Sequence, residues 1–264
     1  MTTQGLKKLI ILFKGLVSFL IFIITSQLFT LLIPTPFTNK KKKADDFYSR
    51  LIVWYARFVI KTHFNIRVHY LNKKENTFNR PVMIVCNHQS FTDVVITTAF
   101  DSKVRVLNNN WHDNAAARFF LSKYVCLYSI FKEKNHLVEE LKTPVKMGCP
   151  LLIFPEGKMN RDGKISRFHK GGFFVAEKLR IDIQPVVIFY SPQILKKSWF
   201  YLKNGDVLVK FLDPIMIESP DYGATYQELT DKVMQLMRIE FRHLSELYNQ
   251  GKFKTASDQK KIIL

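Results

Sequence analysis

Cysteine is scarce in this chain: three in 264 residues, Cys86, Cys126 and Cys149. None forms a CxxC pair or a Cys/His cluster at zinc-binding spacing, so neither a disulfide framework nor a structural zinc site underlies the fold. An odd, scattered set reads as reduced thiols, small buried hydrophobes in a cytosol-facing body. Acidic residues are outnumbered, 22 against 40 basic ones, for a net charge of +18. That charge attracts nucleic acid, acidic proteins or anionic lipid headgroups, but no nucleic-acid-binding motif accompanies it. No internal repeat is present, and the only low-complexity tract is the lysine run 40–43. What is plentiful is apolar material, 47% hydrophobic and 14% aromatic residues. That is enough for a sizeable core and argues against disorder of the whole chain.

Charge is missing altogether from residues 15–39, and the apolar core of that stretch runs over 15–33. A helix of that length, at ~1.5 Å per residue, spans nearly the whole ~30 Å hydrocarbon layer of a bilayer. Lys7, Lys8 and Lys14 precede it, Pro34 and Pro36 end it, and Lys40 to Lys43 follow. A signal peptide shares these flanks, but the stretch is long for one and no small-x-small cleavage site follows. The reading is a retained membrane anchor. With Arg50, Arg57 and Lys61 counted, the downstream flank is the more basic, which puts the body and its active face on the cytoplasmic side. A re-entrant hairpin satisfies both flanks equally well.

Residues 47–64 carry Leu51, Trp54, Tyr55, Phe58 and Val59 at helical spacing, with Arg50, Arg57 and Lys61 on another side. Such a helix either lies in the plane of a membrane surface or packs on the protein's own core. Beyond Asn65 the pattern changes. Short apolar runs at 82–86, 104–107, 126–131, 151–154 and 184–189 predict strands. The segments near 93–100, 114–124, 137–147 and 171–179 predict helices between them. A turn at Asn204-Gly205 suggests a hairpin of 201–202 with 207–212, and 225–248 predicts a long helix. Strands alternating with helices define an α/β fold: a single domain with a central mixed sheet flanked by helices, preceded by an N-terminal membrane-anchoring helical segment. The expected organisation is 1–64 for the anchor and amphipathic helix, 65–250 for the α/β domain, and 251–264 for a basic tail.

The segment Asn87-His88-Gln89-Ser90-Phe91-Thr92-Asp93 falls where a strand ends and a helix begins. On one continuous helix His88 and Asp93 would lie roughly 140° apart at ~100° per residue. They meet if His88 sits on the turn and Asp93 on the first helical turn. Asp93 then bonds one imidazole nitrogen and leaves the other to take a proton. A plainer reading also fits, because Ser90-Phe91-Thr92-Asp93 is a helix-capping pattern.

NHQSFTD resembles the NHxxxxD motif of the glycerolipid acyltransferase family, the group that includes the 1-acylglycerol-3-phosphate acyltransferases. Downstream, Phe154-Pro155-Glu156-Gly157 is similar to that family's FPEG element. Phe168-His169-Lys170-Gly171-Gly172-Phe173 resembles its Lys-Gly stretch, and Ile183-Gln184-Pro185-Val186-Val187-Ile188 its proline-containing strand. The 68 residues from His88 to Glu156 suit the family's layout, and the likeness covers roughly 47–215. The resemblance implies that His88 is a general base, oriented by Asp93, that deprotonates a lysolipid hydroxyl for direct attack on an acyl thioester. It implies no metal and no cofactor, only acyl-CoA or acyl-ACP (acyl carrier protein) as co-substrate, both acidic and both suited to a basic surface. The expected acceptor is 1-acylglycerol-3-phosphate, converted to phosphatidic acid in phospholipid biosynthesis at the membrane. By the same resemblance Lys132, Phe154, Pro155, Glu156, Gly157, Lys158 and Lys170 are the substrate-binding candidates. For Glu156 the loop chemistry leaves two roles open, bonding a ligand group or bonding backbone amides.

Two elements depart from the family pattern. FPEGTRS is here FPEGKMN, with Met159 where the arginine stands, and methionine has no forked donors for phosphate. The Gly-x-x-Phe-Ile-x-Arg element is faint in residues 126–132, where Lys132 holds the basic end position. These departures bear on the acceptor, and a different lyso-lipid headgroup, such as that of an amino-acid lipid, is the alternative. A serine hydrolase using Ser90 is disfavoured because no Gly-x-Ser-x-Gly elbow surrounds it. A non-catalytic membrane scaffold on the same fold is the remaining rival, and nucleic acid is not an expected partner.

Overall fold

The computed structural model describes residues 42–62, 66–74, 78–90, 92–108, 127–129, 134–160, 162–190 and 205–252, together with Phe13, Val17, Leu20, Ile21, Ile24 and Thr25. The expected helix at 114–124, the first arm of the hairpin at 201–202, Lys132, most of the 15–33 stretch and most of the tail lie outside them.

Among the described residues seven strands form one sheet. They are β1 (Ile66–Leu71), β2 (Val82–Cys86), β3 (Arg105–Asn108), β4 (Leu127–Ser129), β5 (Leu151–Ile153), β6 (Asp182–Tyr190) and β7 (Gly205–Phe211), in the order β1-β7-β6-β2-β5-β3-β4. All neighbours pair in parallel except β6 with β7. The mixed sheet and its α/β class match the reading from sequence. The helices are α1 (Lys42–Thr62), α2 (Thr92–Thr98), α3 (Lys134–Lys146), α4 (Gly171–Leu179) and α5 (Tyr226–Asn249).

The central strands are buried on both faces. Every residue of β2, β5 and β6 is buried, as a parallel sheet covered by helices on both sides requires. Because side chains alternate, each strand feeds two cores. Met83, Val85, Ile183 and Val187 point into one, with Leu141 of α3, Phe173 of α4 and Val233 of α5. Ile84, Cys86, Val186 and Ile188 point into the other, with Val59 of α1 and Ile96 of α2. Gly172 marks how closely α4 seats on β5: a Cβ there would lie 2.4 Å from Ile153 Cδ1. The long helix α5 starts on Thr225, whose hydroxyl accepts from Glu228 N at 3.3 Å.

Of the two readings of α1, packing on the protein's own core is the one the structure shows. Val53, Ala56, Val59 and Ile60 are buried in the domain core, so this helix packs on the α/β body. Trp54 and Phe58, one turn apart, stack with ring centroids 5.7 Å apart and stay 58% and 39% exposed. The Thr25 hydroxyl lies 2.8 Å from the Tyr55 hydroxyl, tying the N-terminal helical residues to α1. No helix of the described residues is long and apolar enough to cross a membrane.

The edge strand β1 is absent from the sequence reading. Its outward residues are polar, and a partner strand satisfies them. Arg67 Nε and Nη2 donate to the two Asp206 oxygens at 2.9 Å each, and His69 Nε2 lies 2.8 Å from Asp206 Oδ1. Burial pushes the Asp206 carboxyl up, but the bonds from Arg67 and His69 outweigh it and hold the group below its ordinary range.

Candidate active site

Three parallel strands lie side by side in the order β6-β2-β5, and their C-terminal ends open at one edge of the sheet. Residues just past such ends converge, which is where open α/β sheets hold their ligands. His88 follows β2, Phe154 to Gly157 follow β5, and Tyr190 is the last residue of β6.

Asn87 fixes the exit from β2. Its side-chain Nδ2 donates to Ile188 O at 2.9 Å and its Oδ1 accepts from Ile188 N at 2.8 Å. The amide thus continues the ladder to β6 by one residue and aims the next one. The His88 backbone is held on both sides: its N–H donates to Glu156 Oε1 at 2.8 Å, and its carbonyl accepts from Asn160 N at 2.8 Å. The imidazole stacks on Phe154, with ring centroids 4.4 Å apart.

His88 Nδ1 lies 2.9 Å from Asp93 Oδ2. The same oxygen accepts from Gln89 N at 2.6 Å and Ser90 N at 2.8 Å. Asp93 is fully buried, in the first turn of α2. The capping and orienting readings are therefore not alternatives, since one carboxylate closes the helix start and grips the imidazole. An ionised carboxylate only accepts, so Nδ1 carries the proton and Nε2 is left as the free acceptor. Tyr190 donates its hydroxyl to Asp93 Oδ1.

Glu156 is 3% exposed, and its second oxygen accepts from Ser166 N at 2.8 Å. Burial holds this carboxyl above its ordinary range, and the amide bonds from His88 and Ser166 offset that only in part. Both oxygens thus bond backbone amides, one of the two roles the loop chemistry left open. Gly157 adopts φ +69°, in the left-handed region, and its N–H donates to Phe154 O at 3.1 Å, closing a tight turn. Pro155 is buried, and its carbonyl accepts from His169 N at 2.8 Å. Lys158 and Lys170 are exposed and line an open cleft of about 510 Å³ with Glu156, Ser166, Arg167, Phe168 and His169. Met159 is half-buried in the adjoining turn. Among the described residues no cluster of His, Cys, Asp or Glu could hold a metal ion.

The structure therefore brings together His88, Asp93, Phe154, Pro155, Glu156 and Gly157, with Lys158 and Lys170 on the neighbouring cleft; Lys132 lies outside the described residues. Sequence reasoning missed Tyr190, Ser166 and the role of Asn87. The first two are far along the chain, and only Asn87 carried a signal, its place inside the NHQSFTD motif.

Residues 65–189 match the family model described as Acyltransferase. A 1-acyl-sn-glycerol-3-phosphate acyltransferase beta of Homo sapiens is 26% identical over 213 residues, 74% of this chain and 72% of that protein. The chloroplastic 1-acyl-sn-glycerol-3-phosphate acyltransferase of Brassica napus is 24% identical over 218 residues, 81% of this chain and 59% of its own length. The first relatives matched are covered over about three-fifths of their length. The crystal structure of the 1-acyl-sn-glycerophosphate acyltransferase PlsC of Thermotoga maritima has the same fold, with a TM-score of 0.70 at 17% identity over 92% of this chain and 98% of that one. Residues 65–189 of this chain thus match an acyltransferase family model, and the chain is similar to 1-acyl-sn-glycerol-3-phosphate acyltransferases in sequence and to PlsC in fold.

Proposed function

We propose that this chain transfers a fatty acyl group from an acyl thioester to the free hydroxyl of 1-acylglycerol-3-phosphate, giving phosphatidic acid. The observation that carries this reading is the His88–Asp93 pair, at 2.9 Å, next to a basic cleft that shares Glu156 with it. His88 Nε2 takes the hydroxyl proton as the acceptor oxygen attacks the thioester carbonyl. A C–O bond forms, the C–S bond breaks, and the imidazolium returns its proton to the departing thiolate. Asp93 stabilises that imidazolium. Such base catalysis contributes typically 10² to 10⁴ in rate. The donor is acyl-CoA or acyl-ACP, both anionic and complementary to the chain's +18 charge.

Lys158, Arg167 and Lys170 supply positive charge to the cleft, and the start of α4, at Gly171, adds the partial positive charge of a helix N-terminus. They suit the acceptor phosphate. Met159 favours a second reading, a lyso-lipid with another headgroup, because a phosphate oxygen short of a donor costs about 1–3 kcal/mol. The deciding experiment is acyl transfer to lysophosphatidic acid and to a phosphate-free lysolipid, side by side. The wild type is expected to acylate lysophosphatidic acid, and Met159→Arg to raise kcat/KM for it roughly tenfold without improving the phosphate-free acceptor. Transfer to the phosphate-free lysolipid alone would overturn the phosphate assignment.

The same reading places the protein on the cytoplasmic face of a membrane. The support is a set of exposed apolar residues: Phe13, Leu20, Ile21 and Ile24 on the N-terminal helical segment, and Trp54 and Phe58 on α1. The protein is expected to stay in the membrane pellet through both high-salt and alkaline carbonate washes. Release by salt alone would mean that charge, not the apolar surface, holds it.

A further inference from the structure

Asp93 has two oxygens in different circumstances. Oδ2 is crowded with donors, from His88 Nδ1, Gln89 N and Ser90 N. Oδ1 is turned to the other side and takes the Tyr190 hydroxyl. A carboxylate held by one oxygen still swings about its Cβ–Cγ bond. Held by both, its plane is fixed, and with it the direction of the bond to the imidazole.

Proton accounting gives this contact one sense. The carboxylate only accepts, so the Tyr190 hydroxyl must donate to it. The tyrosine oxygen also lies 2.6 Å from Thr92 Oγ1. Thr92 Oγ1 in turn lies 2.9 Å from Ser90 Oγ. Burial first, and the nearby Asp93 charge second, push the Tyr190 phenol well above its ordinary range, so it keeps the proton it donates. Tyr190 and Asp93 are both almost fully buried, so no water replaces this donor from bulk. Its backbone is equally fixed: Tyr190 pairs with Val207 of β7, and β6 runs alongside β2, from which His88 emerges.

We propose that Tyr190 is a positioning residue of the acyl-transfer site, acting through the second oxygen of Asp93 to hold the His88 imidazole in its proton-accepting orientation. The unit is then three side chains from three places in the chain, Tyr190, Asp93 and His88, of which only His88 meets the substrate. The proposal rests on the acyltransferase reading above. Small errors in the placement of a reacting group cost large factors in rate.

The test is a kinetic cycle on the full chain in detergent or vesicles, with an acyl thioester and lysophosphatidic acid. The single variants are Tyr190→Phe and Asp93→Asn, followed by the double variant, with His88→Ala as reference. Phenylalanine keeps the ring that the core packs around and removes only the hydroxyl. Tyr190→Phe is expected to lower kcat roughly tenfold, with KM for each substrate within about twofold. A merely structural role would not divide kcat from KM in that way. Because Tyr190 acts through Asp93, the double variant should have the kcat of Asp93→Asn alone, not the product of the two losses. A Tyr190→Phe enzyme with wild-type kcat overturns the proposal, and so does a double variant whose losses multiply. If His88→Ala itself keeps full turnover, it is the acyltransferase reading that fails, which separates the two claims.

Discussion

His88→Ala is expected to lower turnover by roughly 10²-fold or more while leaving the protein folded. The expectation of folding comes from the way this residue is held. Its two anchoring bonds, to Glu156 Oε1 and from Asn160 N, both use the backbone, and alanine keeps them. What is lost is the ring stacked on Phe154 and the nitrogen proposed to take the proton. Initial rates with an acyl thioester, beside a thermal melt, separate the two effects. A fully active alanine variant would end the general-base mechanism.

Asp93→Asn is expected to reduce turnover by a similar factor and, unlike the histidine change, to lower stability as well. Four donors converge on this buried carboxylate: three on one oxygen and the Tyr190 hydroxyl on the other. Asparagine accepts with one end only. If its oxygen faces the three donors, its amide nitrogen turns the Tyr190 hydroxyl into an acceptor, and the imidazolium loses its counter-charge. If it faces the other way, the amide donates to His88 Nδ1 and forces the proton onto Nε2, the tautomer that cannot act as a base. Either arrangement weakens the start of α2, where hydrogen bonds to a charged group are worth about 1.5–3 kcal/mol each. The measurement is kcat together with the melting temperature. A variant that melts early but turns over at the wild-type rate would reduce Asp93 to a helix cap.

The parts of the site legible from sequence are those whose geometry is local. His88 and Asp93 are five residues apart, and a strand–turn–helix brings them together, so both were foreseen. Phe154 to Gly157 were marked by resemblance, and the structure sets them beside His88, with the Glu156 carboxylate facing backbone amides. Tyr190 was not foreseen, because it is 97 residues from Asp93. It ends a strand that reads from sequence only as apolar core, and its contact exists only once β6 lies beside β2. Asn87 was in view inside the motif, but its bonds to Ile188 depend on the same pairing. The missed strand β1 has a different cause. It alternates Ile66, Val68 and Tyr70 with Arg67 and His69, a strand period obscured by the basic helix just before it. For α1 the pattern announced two faces without naming what covers either, and only packing could assign one of them to the core.

Glu156 stands at the joint between two parts of the molecule that answer to different demands. On one side are His88, Asp93 and Tyr190, the proposed proton-transfer unit, held at the ends of β2 and β6 and on α2. On the other is the cleft lined by Lys158, Arg167 and Lys170, the proposed headgroup site. The single carboxylate gripping His88 N and Ser166 N is a hinge pin between them. Under the proposed function, acceptor preference can drift through Lys158, Met159, Arg167 and Lys170 while the chemistry stays constant, provided the pin is kept. In the proposed enzyme this arrangement lets the loop vary with the lipid while the glutamate stays in place.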